Sequence, residues 1–265
     1  MFPVSRLRSR SRSKIYGPIW TPAQITTALW LDASDASTIT LNGSNVTQWN
    51  DKSGNGRNAA QSTAANQPTF ANSQVTFDGS NDYFTLASNV ANADATNSFV
   101  VFFVGAADLT GRNNSTGAAI LTRQLVSDGA GSWHVGVAAS GNMVSRLHIT
   151  AGNNLTGLLK TNTGTISTNT GFIGEWEYTG TAGSTAADRW VIRKDGGSAL
   201  AESVGTTEAN WNNPAGATYI GTGWLTDAGY QYKGTIQEIV LVPNSMSASD
   251  RQIMEGYLAW KWGGF

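Results

Sequence analysis

Residues Lys233 to Gly264 restrict the fold more than any other stretch, because a β-strand with a hard stop runs there into a single capped helix. In KGTIQEIVLVP, Ile236, Ile239 and Leu241 alternate imperfectly with Gln237 and Glu238, and Pro243 ends the run because it cannot donate to a ladder. Ser247 stands three residues ahead of Asp250, the spacing at which a hydroxyl caps the first turn and a carboxylate reaches back to the cap's own N–H. Ile253, Met254, Tyr257, Leu258 and Lys261 recur at helical spacing, and Gly263-Gly264 supply a left-handed stop. The pattern predicts one amphipathic helix, its apolar stripe made of Ile253, Met254, Tyr257 and Leu258.

Upstream, the chain reads as many short strands punctuated by turn residues. Strands are predicted at Ala28–Ala33, Val46–Trp49, Val75–Phe77, Tyr83–Leu86, Phe99–Val104, Ala118–Thr122, Trp133–Ala138, Val144–Thr150, Phe172–Tyr178, Trp190–Lys194 and Ala217–Gly221. The Asp78–Asn81 turn predicts a hairpin between its flanking strands, and Asp195-Gly196 predicts another joining Trp190–Arg193 to Leu200–Val204. Phe99–Val104 is apolar on both faces, as a central covered strand must be. With 30 glycines, 13% charged residues and no cysteine, the 265-residue chain fits one large β domain without thiolate or disulfide chemistry.

The C-terminal strand with its I-x-E core, the capped helix and the YLAWKWG ending resemble the close of concanavalin A-like, laminin-G-like jelly-roll domains. LWLDASD, VTQWNDKSGNGRNAAQ, QPTF and QVTFDGSNDY come in the order used by those domains, which occur in phage virion and bacterial surface proteins. The resemblance spans residues 20 to 265. It implies an all-β, two-sheet antiparallel jelly-roll sandwich with a short C-terminal helix, while function stays open because that fold hosts lectins, hydrolases and structural proteins alike.

Residues 1–22 are read as a basic N-terminal arm and residues 23–265 as the domain. Arg6, Arg8, Arg10, Arg12 and Lys14 have no acidic neighbour among the first 20 residues, and they leave 12 basic against 18 acidic residues beyond. A +5 arm therefore precedes a −6 body. Alternating Arg and Ser cannot bury apolar surface, so the arm is expected to order only on a partner. RLRSRSRSK lacks the apolar run of a secretory signal, and no apolar stretch approaches the roughly 18 residues of a membrane span.

Glycosidases of this fold carry strand-borne acids, and Glu175 and Glu177 in GEWEY are the comparable pair. The third acid is missing, so a solvated strand face is the favoured reading. Asp51–Gly56 opens like a calcium loop, but Ser62 stands where a bidentate carboxylate belongs; an Asx-rich turn is favoured, with calcium there or at Asp78 and Asp82 as the alternative. No other cofactor is implied. His134 and His148 lie symmetrically about Gly141, so a hairpin would set them opposite each other. Trp30, Trp49, Trp176, Trp190 and Trp260 read as core, whereas Trp211, Trp224, Tyr230 and Tyr232 lie in expected loops where aromatic faces can hold a ligand.

These readings favour a non-enzymatic phage virion structural protein, held through its arm to other capsid or tail proteins or to copies of itself. A lectin-like module binding a host-surface glycan is the alternative, and a glycoside hydrolase ranks third. Neither membrane insertion nor, outside the arm, nucleic-acid binding is expected.

Overall fold

The computed structural model describes residues 20–91, 97–111, 117–124, 133–147, 158–161, 166–180, 190–203, 216–223 and 230–263. Its first strands are β1 (Leu29–Asp32), β2 (Ile39–Asn42), β3 (Asn45–Trp49), β4 (Ala59–Ala60), β5 (Thr69–Ala71), β6 (Gln74–Asp78) and β7 (Phe84–Leu86). There follow β8 (Phe99–Ala107), β9 (Ala118–Gln124), β10 (Trp133–Val137), β11 (Met143–Leu147) and β12 (Leu158–Thr161). The last are β13 (Gly171–Tyr178), β14 (Trp190–Lys194), β15 (Glu202–Ser203), β16 (Ala217–Ile220) and β17 (Lys233–Val242), ahead of the helix α1 (Ala248–Trp262).

β17 organises the sheet. One of its edges pairs with β8, which pairs in turn with β13 and then β14. The other edge is divided, Lys233–Ile236 pairing with β6 and Glu238–Leu241 with β1. Ladder bonding then continues from β6 through β5, β3, β4, β7, β16, β9, β10, β11 and β12 to β15. All the strands described thus belong to one antiparallel sheet, nearly closed into a barrel.

The expectation of two separate sheets is corrected accordingly. β4 and β5, two and three residues long, carry the hydrogen bonding around the side of the molecule. The expected hairpin at Asp78–Asn81 also fails. Its turn forms, with Ser80 N and Asn81 N donating to Asp78 Oδ1, but β6 pairs with β5 and β17 while β7 pairs with β4 and β16. At Asp195-Gly196 the turn closes as expected through Gly197 N to Lys194 O and Leu200 N to Ile192 O, yet β15 pairs with β12.

Two apolar layers flank the β8–β13–β17 half. Inside, Phe99, Val101, Phe103, Trp176, Tyr178, Ile239 and Leu241 meet Leu121, Trp133, Val135 and Ile220 from the facing half. Phe99 and Trp133 rings lie 4.8 Å apart. Outside, Val100, Phe102, Val104, Ile173 and Val240 pack against Met254, Tyr257 and Leu258 of α1. β8 is therefore covered on both faces, as its sequence requires. The imperfect alternation of β17 has a geometric cause: its register to β8 shifts between Ile236 and Glu238, so Ile236 and Ile239 both face inward around a bulge.

Ser247 caps α1 by accepting from Asp250 N at 3.1 Å. The Asp250 carboxylate takes the Ser247 hydroxyl at 2.7 Å, not the cap's N–H, so only half of the expected reciprocal box forms. Gly263 ends the helix at φ 85°. Ile253, expected in the buried stripe, is 44% exposed, and Trp260, expected in the core, is 66% exposed. The two are seven residues apart and form an apolar row on the outer side of α1. No helix among the described residues is long and apolar enough to cross a membrane.

Candidate functional site

Three polar clusters are built on this sheet, and they differ in how completely their charges are matched. The bulge in β17 turns Glu238 outward beneath α1, where its side chain is fully buried. Glu238 Oε1 accepts from Trp30 Nε1 at 2.8 Å and Tyr257 OH at 3.1 Å; Oε2 accepts from Lys261 Nζ at 2.8 Å and Trp262 Nε1 at 2.6 Å. Lys261 also reaches Asp32 of β1 at 2.6 Å, and Lys52 bridges Asp32 and Asp35 at 2.9 Å each. Burial pushes the Glu238 carboxyl up against the opposing pull of Lys261. Burial acts the same way on Asp32, but hydrogen bonds from Lys261, Ser34 and Lys52 hold it below its ordinary value. Every acceptor here is occupied, so the cluster is a clasp between helix and sheet.

The Glu175–Glu177 pair lies beneath the same helix. Both side chains point away from the core on β13, as their spacing predicts, and Arg193 sits across the ladder from Glu175. Arg193 Nη1 donates to Glu175 Oε1 at 2.5 Å and to Glu177 Oε2 at 3.0 Å. On α1, Arg251 donates to Glu255 at 3.0 Å and lies 3.9 Å from Glu175 Oε2. Burial and the neighbouring Glu255 carboxyl push Glu175 up to about 8, outweighing Arg193. A proton held between the two carboxyls would give the otherwise unpartnered Glu175 Oε2 its hydrogen bond. The pair is thus neither the solvated face expected nor an open cleft: one guanidinium clamps both acids against a helix.

The third cluster lies on the far side of the molecule, on the face of β9, β10 and β11 turned away from the core. Trp133 and Val135 point inward, so His134 between them points outward. It stands opposite Thr122 on β9 and Arg146 on β11. Arg146 Nη1 bonds Tyr230 OH at 3.1 Å, and the Tyr230 ring lies edge-on to His134 at 6.3 Å. Arg146 Nε and Thr122 Oγ1 are buried without a hydrogen-bond partner among the described residues. The expected His134–His148 pairing is corrected: the turn Ala138–Asn142 pairs Val137 with Met143, which sets Arg146 opposite His134. His148 lies outside the described residues.

Of the expected ligand-holding aromatics, Tyr230 is half-buried in this third cluster. Tyr232 is a core residue instead, 1% exposed, its ring against Phe77 and its hydroxyl donating to Ala106 O at 3.0 Å. A bridge between Thr222 and Gln231 sets Gln231 against the sheet, and Tyr232 next to it faces inward. Trp211, Trp224 and the arm residues Arg6, Arg8, Arg10, Arg12 and Lys14 lie outside the described residues. Trp49, Trp176 and Trp190 are fully buried and Trp30 nearly so, as expected.

At the supposed calcium loop, Asp51 accepts from Trp30 N, Ser53 N, Ser53 Oγ and Arg57 N, so its carboxylate organises the turn as an Asx-rich loop. Asp82 Oδ2 accepts from Asp78 N, and burial pushes the Asp82 carboxyl up to about 6. Among the described residues no group of three or more histidines and acids is placed to hold a metal. Asp32, Glu238 and Lys261 were present in the sequence motifs, but without a role; an acid inside an apolar strand was their available signal. Nothing in the sequence marked Arg146.

No family model and no curated protein matches the chain. Similar solved structures include a Trypanosoma rangeli sialidase in complex with 2,3-difluoro-KDN, at 15% identity and TM-score 0.57, covering 98% of this chain and 36% of that one. Another is Trypanosoma rangeli sialidase in complex with sialic acid, at 14% identity and TM-score 0.56, covering 88% of this chain and 33% of that one. The chain thus spans about a third of the length of these structures. These neighbours, with the single nearly closed sheet, overturn the concanavalin A-like, laminin-G-like resemblance drawn from the motifs. LWLDASD, SGNGRN and YLAWKWG build a local clasp and a local turn, and such devices do not define a family; at this identity the likeness to sialidases concerns the fold alone.

Proposed function

We propose that the chain is a non-enzymatic structural protein of a phage virion, mounted on capsid or tail proteins through its helix-bearing side and its basic N-terminal arm. The observation that carries this reading is the place where the chain enters the domain. Trp20 packs edge-on against Tyr257 of α1 at 5.8 Å, and Ile25 joins the same outer apolar layer. One turn further along α1, Trp260 stands 66% exposed, with Ile253 on the same side of the helix. Trp20, the first described residue after the arm, therefore lies on a surface that already carries an uncovered aromatic, the kind of group that anchors a protein interface. Its five positive charges add an electrostatic component for an acidic assembly.

Incorporation into particles tests this directly. A chain lacking residues 1–19 is expected to fold but to fail to copurify with particles. Trp260→Ala is expected to lower incorporation while changing stability by no more than about 0.5 kcal/mol. Normal incorporation of both variants would overturn the proposal, and arm-dependent binding to bare DNA would assign the arm to nucleic acid instead. A second reading, a glycan-binding module, is favoured by the Arg146–Tyr230–His134 face on the side opposite α1. Under that reading Tyr230→Ala abolishes glycan binding without affecting incorporation.

A further inference from the structure

A cleft of about 410 Å³ opens at the end of the sheet where the chain leaves β3, β7 and β17. Its described lining residues include none of α1 and none of the Arg146–Tyr230–His134 cluster, so it stands apart from both readings above. Val90, Ala91 and Pro243 give it apolar wall, Asn89, Asn97 and Ser98 give it amide and hydroxyl groups, and Arg57 supplies the charge. Among the described residues, none that lines the cleft is acidic. The carboxylate of Asp51, in the turn that leads to Arg57, has its oxygens filled by Trp30 N, Ser53 N, Ser53 Oγ and Arg57 N. Asp51 thus fixes the backbone that carries Arg57 while its own acceptors point into the turn.

The walls are braced as well. Arg57 Nη1 donates to Ala28 O at 2.6 Å, which holds the guanidinium in place. That is its one side-chain hydrogen bond among the described residues; of the five N–H donors of a guanidinium its Nε is buried, so the terminal nitrogens are what it can offer the cleft. Arg123 Nη1 holds Ala91 O at 3.2 Å, and Ser245 N donates to Ser98 Oγ at 2.8 Å. A positioned cation with spare donors matches a carboxylate, neighbouring amides and a hydroxyl match ring hydroxyls, and the volume falls in the range of small-molecule sites.

We propose that this cleft binds a small hydroxylated carboxylate, the size and chemistry of one acidic sugar unit. The test uses the full chain, with sodium glucuronate, glucose and sodium acetate as probes, and follows the backbone amide signals of Val90, Asn97 and Ser98. Glucuronate should shift them saturably, and glucose and acetate should each bind about tenfold more weakly or worse, lacking the charge or the hydroxyls respectively. Asn89→Asp, which places a carboxylate in the cleft, and Arg57→Gln, which removes the cation, should each weaken glucuronate about tenfold or more. Asn89→Asp leaves the Asp51–Arg57 turn untouched, so it decides the matter even if Arg57→Gln unfolds. Absence of a saturable shift, undiminished affinity in Asn89→Asp, or acetate binding as tightly as glucuronate would overturn the proposal.

Discussion

The Glu238–Asp32 clasp and the Arg146 cluster, on opposite faces of the sheet, treat charge in opposite ways. Beneath α1, Glu238 has four donors and Asp32 is held by two lysines and a serine, so these two acids are matched atom for atom, whereas Glu175 under the same helix leaves Oε2 without a hydrogen bond. On the far face, Arg146 has Tyr230 for its Nη1 but leaves Nε without a partner, and Thr122 Oγ1 is likewise unmatched. A matched network holds its elements in one geometry, whereas an unmatched buried donor costs free energy that the fold must recover elsewhere. The comparison teaches that the Glu238–Asp32 clasp fixes helix to sheet through fully matched charges, while the Arg146 cluster keeps donors that its neighbours do not match.

The sharpest way to break this contrast is Glu238→Ala. Removing one carboxylate strands Trp30 Nε1 and Trp262 Nε1 and takes from Lys261 one of its two acidic partners, and loss of a buried charge partner typically costs about 3 to 5 kcal/mol. Urea unfolding should show a midpoint lowered to match; an unchanged midpoint would mean that the clasp contributes nothing.

A smaller effect should appear as a pH dependence. The Glu175 carboxyl, raised to about 8 by burial and by Glu255, binds a proton more tightly folded than unfolded. Its stabilising contribution is therefore complete below the ordinary carboxyl range and is lost as pH rises through about 8. Melting temperatures between pH 5 and 9 should fall for the parent chain and flatten for Glu175→Gln; parallel curves would show that Glu175 ionises normally.

The smallest expected change is on the far face. Tyr230→Phe removes one hydrogen bond to Arg146 and should cost about 0.5 to 1.5 kcal/mol in the same unfolding assay. A loss comparable with that of Glu238→Ala would erase the difference between the two faces.

Elements with strong local patterning were legible in the sequence. β8 has two apolar faces, β17 ends at Pro243 and α1 starts on Ser247, and each forms where its pattern places it. β4 and β5 were not legible, because two or three residues cannot show a period. They nonetheless join the two halves of the sheet. The turn at Asp78–Asn81 was legible but not its consequence, since a tight turn does not determine which neighbours its strands will pair with. Ile253 and Trp260 were misread for a related reason: helical spacing selects a stripe, but the width of the sheet beneath decides how much of it is covered. For the polar clusters, Glu175 and Glu177 were visible as a pair, while Arg193 and Arg251, which define their chemistry, come from β14 and α1.

The divided edge of β17 also sets an order of events in time. β1 and β6 lie early in the chain, yet both complete their pairing only on β17, and the Trp30–Glu238 bond joins residues 208 positions apart. On a ribosome, β8 would emerge long before the strand that covers its edge, with apolar side chains on both of its faces. Such a nascent chain offers an open ladder to its neighbours, and closure of distant contacts is intrinsically slow. The sheet can therefore be completed only after residues 233–242 have been made, and the interval before that is when the chain is most exposed to self-association.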